Sequence, residues 1–226
     1  MCEIRLLFPV HMRTFFQDDT WQSGLEEIRV RVGQPIEFCY GSDNCYLTGK
    51  EKEQMFCSEK DYRRWEKDLY HATEADLREM LNYISNYSLY AYKEEIKQGY
   101  ITIEGGHRVG VAGQTVLVDG KIAGISPIMF LNIRIAHEKC GCARKILPLI
   151  RQRDSIYNTL ILSMPGAGKT TLLRDSIRAL SNGEAYGIRL KVCVVDERSE
   201  IAASFHGVPQ NDMGPRTDVM DGCGKA

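Results

Sequence analysis

Residues 157–182 read YNTLILSMPGAGKTTLLRDSIRALSN, an apolar segment, a Gly/Pro turn and an amphipathic helix in immediate succession. Residues 159–162 predict a short strand, 163–168 a tight loop, and Lys169 onward a helix that buries Leu172, Leu173, Ile177 and Leu180. Strand, loop and helix in that order form the context of a phosphate-binding loop, the Walker A pattern G-x-x-x-x-G-K-[ST]. Gly166 and Gly168 free the backbone N–H groups to curl around a β-phosphate, and the helix N-terminus adds its positive dipole end. The nucleotide-contacting stretch is therefore Ser163, Met164, Pro165, Gly166, Ala167, Gly168, Lys169, Thr170 and Thr171. Lys169 is expected to bridge the β- and γ-phosphates and Thr170 to offer its hydroxyl to Mg²⁺, so ATP and Mg²⁺ are the expected cofactors. Ser163 stands where the pattern has its first Gly, which is compatible with the loop if its dihedrals stay negative. The alternative is a Gly-rich turn before a helix with Lys169 merely solvated. A cation at a helix N-terminus is unfavourable without an anion beside it, which weighs against that alternative.

Downstream, RLKVCVVDERSEI predicts a buried parallel strand over 192–195 that delivers Asp196 and Glu197 at its C-terminal end. In open α/β sheets that edge is where ligands sit. Asp196 is a candidate Mg²⁺ ligand and Glu197 a candidate base for the attacking water; with Lys169 they make the expected catalytic set. The other reading is a Walker B look-alike whose acids cap the next helix or pair with Arg198. The last stretch, HGVPQNDMGPRTDVMDGCGKA, reads as polar and turn-rich, with Arg216 a weak phosphate-contact candidate.

The first 145 residues have a different texture. EEIRVRVGQPIEFCY alternates apolar and polar positions, which predicts two half-buried strands around a turn at 33–35. Thr73 and Asp76 form a helix-start signal ahead of Leu77, Leu81 and Ile84, and a further helix is expected over 88–97, ending at Gly99. Asp119-Gly120 between apolar segments predicts a hairpin, 131–136 another strand, and 142–152 a bridging helix. The expected organisation is an α+β N-terminal domain, 1–145, followed by an α/β P-loop (RecA-like) ATPase domain, 146–226.

Composition narrows the function classes. Lys plus Arg total 29 against 30 Asp plus Glu, so no basic arm advertises nucleic acid. The start, MCEIRLLFPVHMRTFF, is interrupted by charge, and no run suits a bilayer-spanning helix. The 8 cysteines include no C-x-x-C pair and read as reduced thiols of a cytosolic protein.

The strings LEEIRVRVGQPI, ISNYSLYAY, QGYITIEGGHRVGVAGQ, LNIRIAHE, PGAGKTTLLRD, VVDERSEI and GPRTDVMDGC occur in that order and closely resemble the stage III sporulation AA family of endospore-forming bacteria. That family belongs with the type II and type IV secretion ATPases. The resemblance implies a hexameric P-loop motor in the mother cell, peripheral at the cytoplasmic face of the forespore membrane. There it would energise or assemble a channel of other sporulation proteins. It also implies that Asp196, Glu197 and Glu200 form an aspartate box positioning the attacking water, with the Walker B acids on a later strand. Arg108 and Arg134 are the nearest counterparts of N-terminal arginines that reach the γ-phosphate in such motors. From Tyr157 to the end there are 70 residues, where a P-loop motor core needs roughly twice that. The expectation is thus an ATPase domain cut short at its C-terminus. Two other readings stay open: a P-loop ATPase acting on single-stranded nucleic acid, and an assembly scaffold ordered by nucleotide without turnover.

Overall fold

A computed structural model describes residues 4–16, 19–49, 55–153, 155–184, 187 and 189–222. The chain is a mixed α/β protein that divides into two compact units, Met1–Ala136 and His137–Ala226. Residues 137–145, expected with the first domain, group with the second. Their 3₁₀ turn Cys142–Lys145 buries Ala143 against Ala179 and Leu180 of the following helix.

The first unit is built on a seven-stranded antiparallel sheet. Its strands are β1 (Glu27–Arg31), β2 (Glu37–Tyr40), β3 (Asp43–Leu47), β4 (Phe56–Ser58), β5 (Tyr100–Thr102), β6 (Arg108–Val118) and β7 (Lys121–Arg134). The spatial order is β4-β3-β2-β1-β7-β6-β5. The alternation in the sequence sets the faces: Ile28 and Val30 are fully buried, while Arg29 and Arg31 point the other way. β1 meets β7 with Ile28 opposite Ile133 and Val30 opposite Leu131, which puts all four on the core face. Three helices follow in chain order, α1 (Tyr62–Trp65), α2 (Glu74–Ile84) and α3 (Lys93–Lys97). α2 begins in a full capping box, because Thr73 Oγ accepts from the Asp76 N–H while the Asp76 carboxylate accepts from the Thr73 N–H. Leu77, Met80, Leu81 and Ile84 form its buried stripe.

Two 3₁₀ segments at the start, Ile4–Leu7 and Val10–Phe15, supply apolar side chains that follow no period in the sequence. Phe8 and Phe16 meet at 4.8 Å, Phe16 stacks on Trp21 at 4.6 Å, and both phenylalanines lie beside Phe38 of β2. Each such ring withdraws enough surface from water to contribute about 1.5–3 kcal/mol. The Asp119-Gly120 turn closes the β6–β7 hairpin, with Asp119 at φ 50° and Gly120 at φ 72°. The six described cysteines, 39, 45, 57, 140, 142 and 193, are free thiols; Cys2 and Cys223 lie outside the described residues. Among the described residues no helix is long and apolar enough to cross a membrane.

The second unit contains α4 (Leu147–Ile150), the two-residue strands β8 (Arg151–Gln152) and β9 (Ser155–Ile156), α5 (Lys169–Asn182), β10 (Val192–Asp196) and β11 (Thr217–Asp221). The single bridging helix expected over 142–152 is thus a 3₁₀ turn, a one-turn helix and the start of a small ribbon. β10 and β11 pair in parallel, Val192 with Thr217 through Asp196 with Asp221. The segment read as polar and turn-rich therefore holds a strand. Ile177 of α5, Val194, Ala202 and Met213 form a core under this sheet.

Two further expectations change. β10 is covered on one face only: Val194 and Asp196 are buried, whereas Val195 is 62% exposed. Residues 159–162 pair with no strand among the described residues, and Leu160 and Leu162 are each 79% exposed. A groove of about 580 Å³ is lined by residues of 157–161 on one side and of 190–193 on another. Leu173, expected to be buried, lines that groove instead and is 37% exposed.

Candidate nucleotide site

The loop at 163–168 takes its shape from two glycines. Gly166 has φ 75° and Gly168 φ 88°, the left-handed region that side chains with a Cβ adopt only with strain. A Cβ at either position would meet nothing within 4 Å, so glycine is required there for backbone conformation and not for space. Gly168 is the N-cap of α5 and offers no side-chain cap. The first-turn N–H groups of an α-helix have no intrahelical acceptor, so they remain for a ligand. Lys169 opens the helix and folds back over the loop, its Nζ donating to the carbonyls of Ser163 (3.0 Å) and Met164 (2.9 Å) and to Ser163 Oγ (3.3 Å). The ammonium thus sits within the loop's own concavity, where carbonyl oxygens occupy it. Thr170 is half-buried in the same first turn.

α5 is anchored by buried charge. Asp175 Oδ2 accepts the N–H of Ala143 at 2.7 Å, and its Oδ1 accepts from Arg178 Nε and Nη2 at 3.0 and 2.8 Å. Arg178 also binds Glu184, with one contact at 2.9 Å. Burial pushes the Asp175 carboxyl up, but the Ala143 and Gly141 N–H groups and Arg178 together hold it below its ordinary value.

The acids behave differently from one another. Asp196 is 3% exposed, and its carboxylate accepts the N–H groups of Glu200 (3.0 Å), Ile201 (2.8 Å) and Ala202 (2.9 Å). It thus holds the segment that follows its strand, as the alternative reading has it, but that segment is an irregular loop and not the expected helix. Glu197 and Glu200 are exposed at the end of β10. Arg174, which the sequence did not single out, donates from Nε to the Ile201 carbonyl and from Nη2 to that of Glu200, both at 2.8 Å. Burial lowers its pKa, against the pull of Glu138 and Asp196. Its position four residues after Thr170 was the available signal. Arg216 donates from Nη1 to the Arg189 carbonyl at 2.9 Å, and Ser181 Oγ accepts its backbone N–H at 2.8 Å.

In the first unit, Arg108 lies opposite Arg134 across β6 and β7. The Arg108 guanidinium stacks over Tyr100 at 3.6 Å, and Arg134 Nε is 3.7 Å from Glu27.

A model of the family described as "Sporulation stage III, protein AA" matches residues 2–226. The chain belongs to the stage III sporulation protein AA family. Within that family it is 40% identical over 228 residues to the stage III sporulation protein AA of Bacillus subtilis (strain 168), covering 100% of this chain and 67% of that protein. A solved structure similar to this family member is that of the Legionella pneumophila ATPase DotB, at 16% identity and a TM-score of 0.49. That likeness covers 94% of this chain, which spans about half of DotB, 51% of its length.

Proposed function

We propose that this chain binds Mg-ATP at residues 163–171 and hydrolyses it as a motor subunit of a secretion-like sporulation complex. The observation that carries the reading is the placement of Lys169 at the first position of α5, directly behind two left-handed glycines, with its ammonium inside the loop. Family membership supports the sporulation setting. The loop carbonyls that hold Lys169 Nζ are weak, neutral partners. Phosphate oxygens are charged acceptors and compete well for it. The backbone N–H groups of Gly166 to Thr171 bind and orient the phosphates, and Thr170 holds Mg²⁺ through its hydroxyl. When bound there, the metal would supply positive charge to the phosphate oxygens. Glu197, exposed at the strand end, orients the attacking water and takes its proton.

Asp196 acts in this account through the loop that it caps, since both of its oxygens already accept backbone N–H groups. The working form is a homo-oligomer, a hexamer, peripheral at the cytoplasmic face of the mother-cell/forespore membrane and joined to membrane proteins of the sporulation channel. Arg29, Arg31 and Arg134 on the outward sheet face pair with Glu27 or Glu37, so these three do not form a bare basic strip for single-stranded nucleic acid.

Steady-state phosphate release by the intact protein tests the reading. Lys169→Ala should lower turnover by at least about a hundredfold, and Glu197→Gln should do so while ATP still binds. Turnover per chain that rises with protein concentration supports the oligomer. Turnover that survives Lys169→Ala overturns the site.

A further inference from the structure

The segment Glu200 to Ala202 is neither helix nor strand, yet every peptide group in it is held. Asp196 accepts its three N–H groups. The carbonyls of Glu200 and Ile201 accept from the Arg174 guanidinium, and Asn211 Nδ2 adds a bond to the Ile201 carbonyl at 2.9 Å. The Ala202 carbonyl accepts the N–H groups of Gln210 (3.1 Å) and Asn211 (3.2 Å). Ser199 and Ala203, which flank the segment, stand at φ 52° and φ 49°, a conformation that non-glycine residues keep only where their surroundings over-determine it.

Arg174 is the member of this set that comes from α5. It lies one turn after Thr170, so the two share a side of the helix, and its side chain spans from the phosphate-loop helix to the loop after β10. A guanidinium presents two parallel donors in a fixed fork, which suits two successive carbonyls in a way that a lysine ammonium does not. Asp196 grips the same peptide groups from the opposite polarity. Together the two side chains form a clamp on the segment that carries Glu200 and follows Glu197.

We propose that Arg174 is a positioning residue that locks the 197–202 acidic loop to the phosphate-loop helix, fixing Glu197 and Glu200 relative to Thr170 for hydrolysis. The inference rests on the nucleotide reading above and deepens it: Arg174 touches neither nucleotide nor metal, and it acts by holding the acids where the water is activated. Its loss should therefore separate binding from turnover.

Hydrogen exchange at the amides of residues 200–202 and steady-state kinetics, both on the intact protein with Arg174→Met and Arg174→Lys, test this. In Arg174→Met, exchange at 200–202 should accelerate by about tenfold or more. kcat should fall by about tenfold or more while KM stays within about twofold. Arg174→Lys, which keeps the charge and loses the fork, should move the same quantities in the same directions by less. Unchanged exchange at 200–202, or a rise in KM with kcat intact, overturns the proposal. If Arg174→Met also opens the amide of Val194, so that the core itself has loosened, Arg174→Lys decides: wild-type exchange and wild-type kcat in that variant overturn the clamp. If the wild-type protein does not turn ATP over, the nucleotide reading fails, and the exchange measurement still decides whether Arg174 holds the loop.

Discussion

Replacing Asp196 with Asn distinguishes an acid that organises a loop from one that waits for a metal. In the structure Oδ1 accepts one backbone N–H, from Glu200, and Oδ2 accepts two, from Ile201 and Ala202. Asparagine keeps one oxygen and sets an NH₂ group where the other was. The better orientation preserves the two bonds at Oδ2 with a neutral acceptor and turns a donor against the Glu200 N–H. A hydrogen bond to a charged group contributes about 1.5–3 kcal/mol and a neutral one about 0.5–1.5 kcal/mol. One bond lost and two weakened come to about 2–4 kcal/mol of destabilisation. Trp21 and Trp65 both lie in the first unit, so tryptophan fluorescence does not report this change, and urea unfolding followed by far-UV circular dichroism does. With an m-value of about 1–3 kcal/mol/M, the midpoint of the second unit should fall by about 1–2 M. A midpoint within about 0.3 M of wild type, measured without nucleotide, would refute the loop-organising role. An effect confined to the Mg-ATP complex would return Asp196 to the metal.

Three other changes test the packing. Gly113→Ala would place a Cβ 2.1 Å from the Pro127 carbonyl oxygen, a backbone atom that cannot step aside, and should destabilise the first unit by about 2–4 kcal/mol in urea unfolding read by tryptophan fluorescence. Thr73→Ala removes one half of the α2 capping box and should cost about 1 kcal/mol by the same assay. Asp175 is held below its ordinary carboxyl value, so the stability it contributes is present above about pH 4 and is lost as pH falls through its folded pKa. Asp175→Asn should therefore flatten the acid limb of stability against pH, and an acid limb identical to wild type would contradict the pairing.

Local signals in the sequence reached far into the fold. The alternation around Ile28 and Val30, the Thr73 cap and the Asp119-Gly120 turn each specify structure within a few residues, and each is found where it was expected. The Gly-rich loop at 163–168 and the helix start at Lys169 were legible for the same reason, since two left-handed glycines and a helix start are local requirements. What escaped depends on partners distant in sequence. Residues 159–162 have strand-like composition, but a strand forms only against a neighbour, and among the described residues none pairs with them. β11 was hidden among turn residues because its partner, β10, lies more than twenty positions earlier. Met12 enters the first core from a 3₁₀ turn, and Phe8 and Phe16 from the residues that flank the two 3₁₀ turns, whose spacing matches neither helix nor strand. Arg174 looked like the polar side of an amphipathic helix, and only the folded loop reveals two carbonyls waiting for it.

The central claim is that residues 163–171 form a nucleotide site, and equilibrium binding of Mg-ATP to the intact protein and to Lys169→Ala, measured side by side, tests it most directly. Saturable binding by the wild type that weakens by at least about a hundredfold in the variant is the predicted result, because the lysine places its ammonium inside the loop. Equal affinity of the two proteins, or no saturable binding by the wild type, would contradict it.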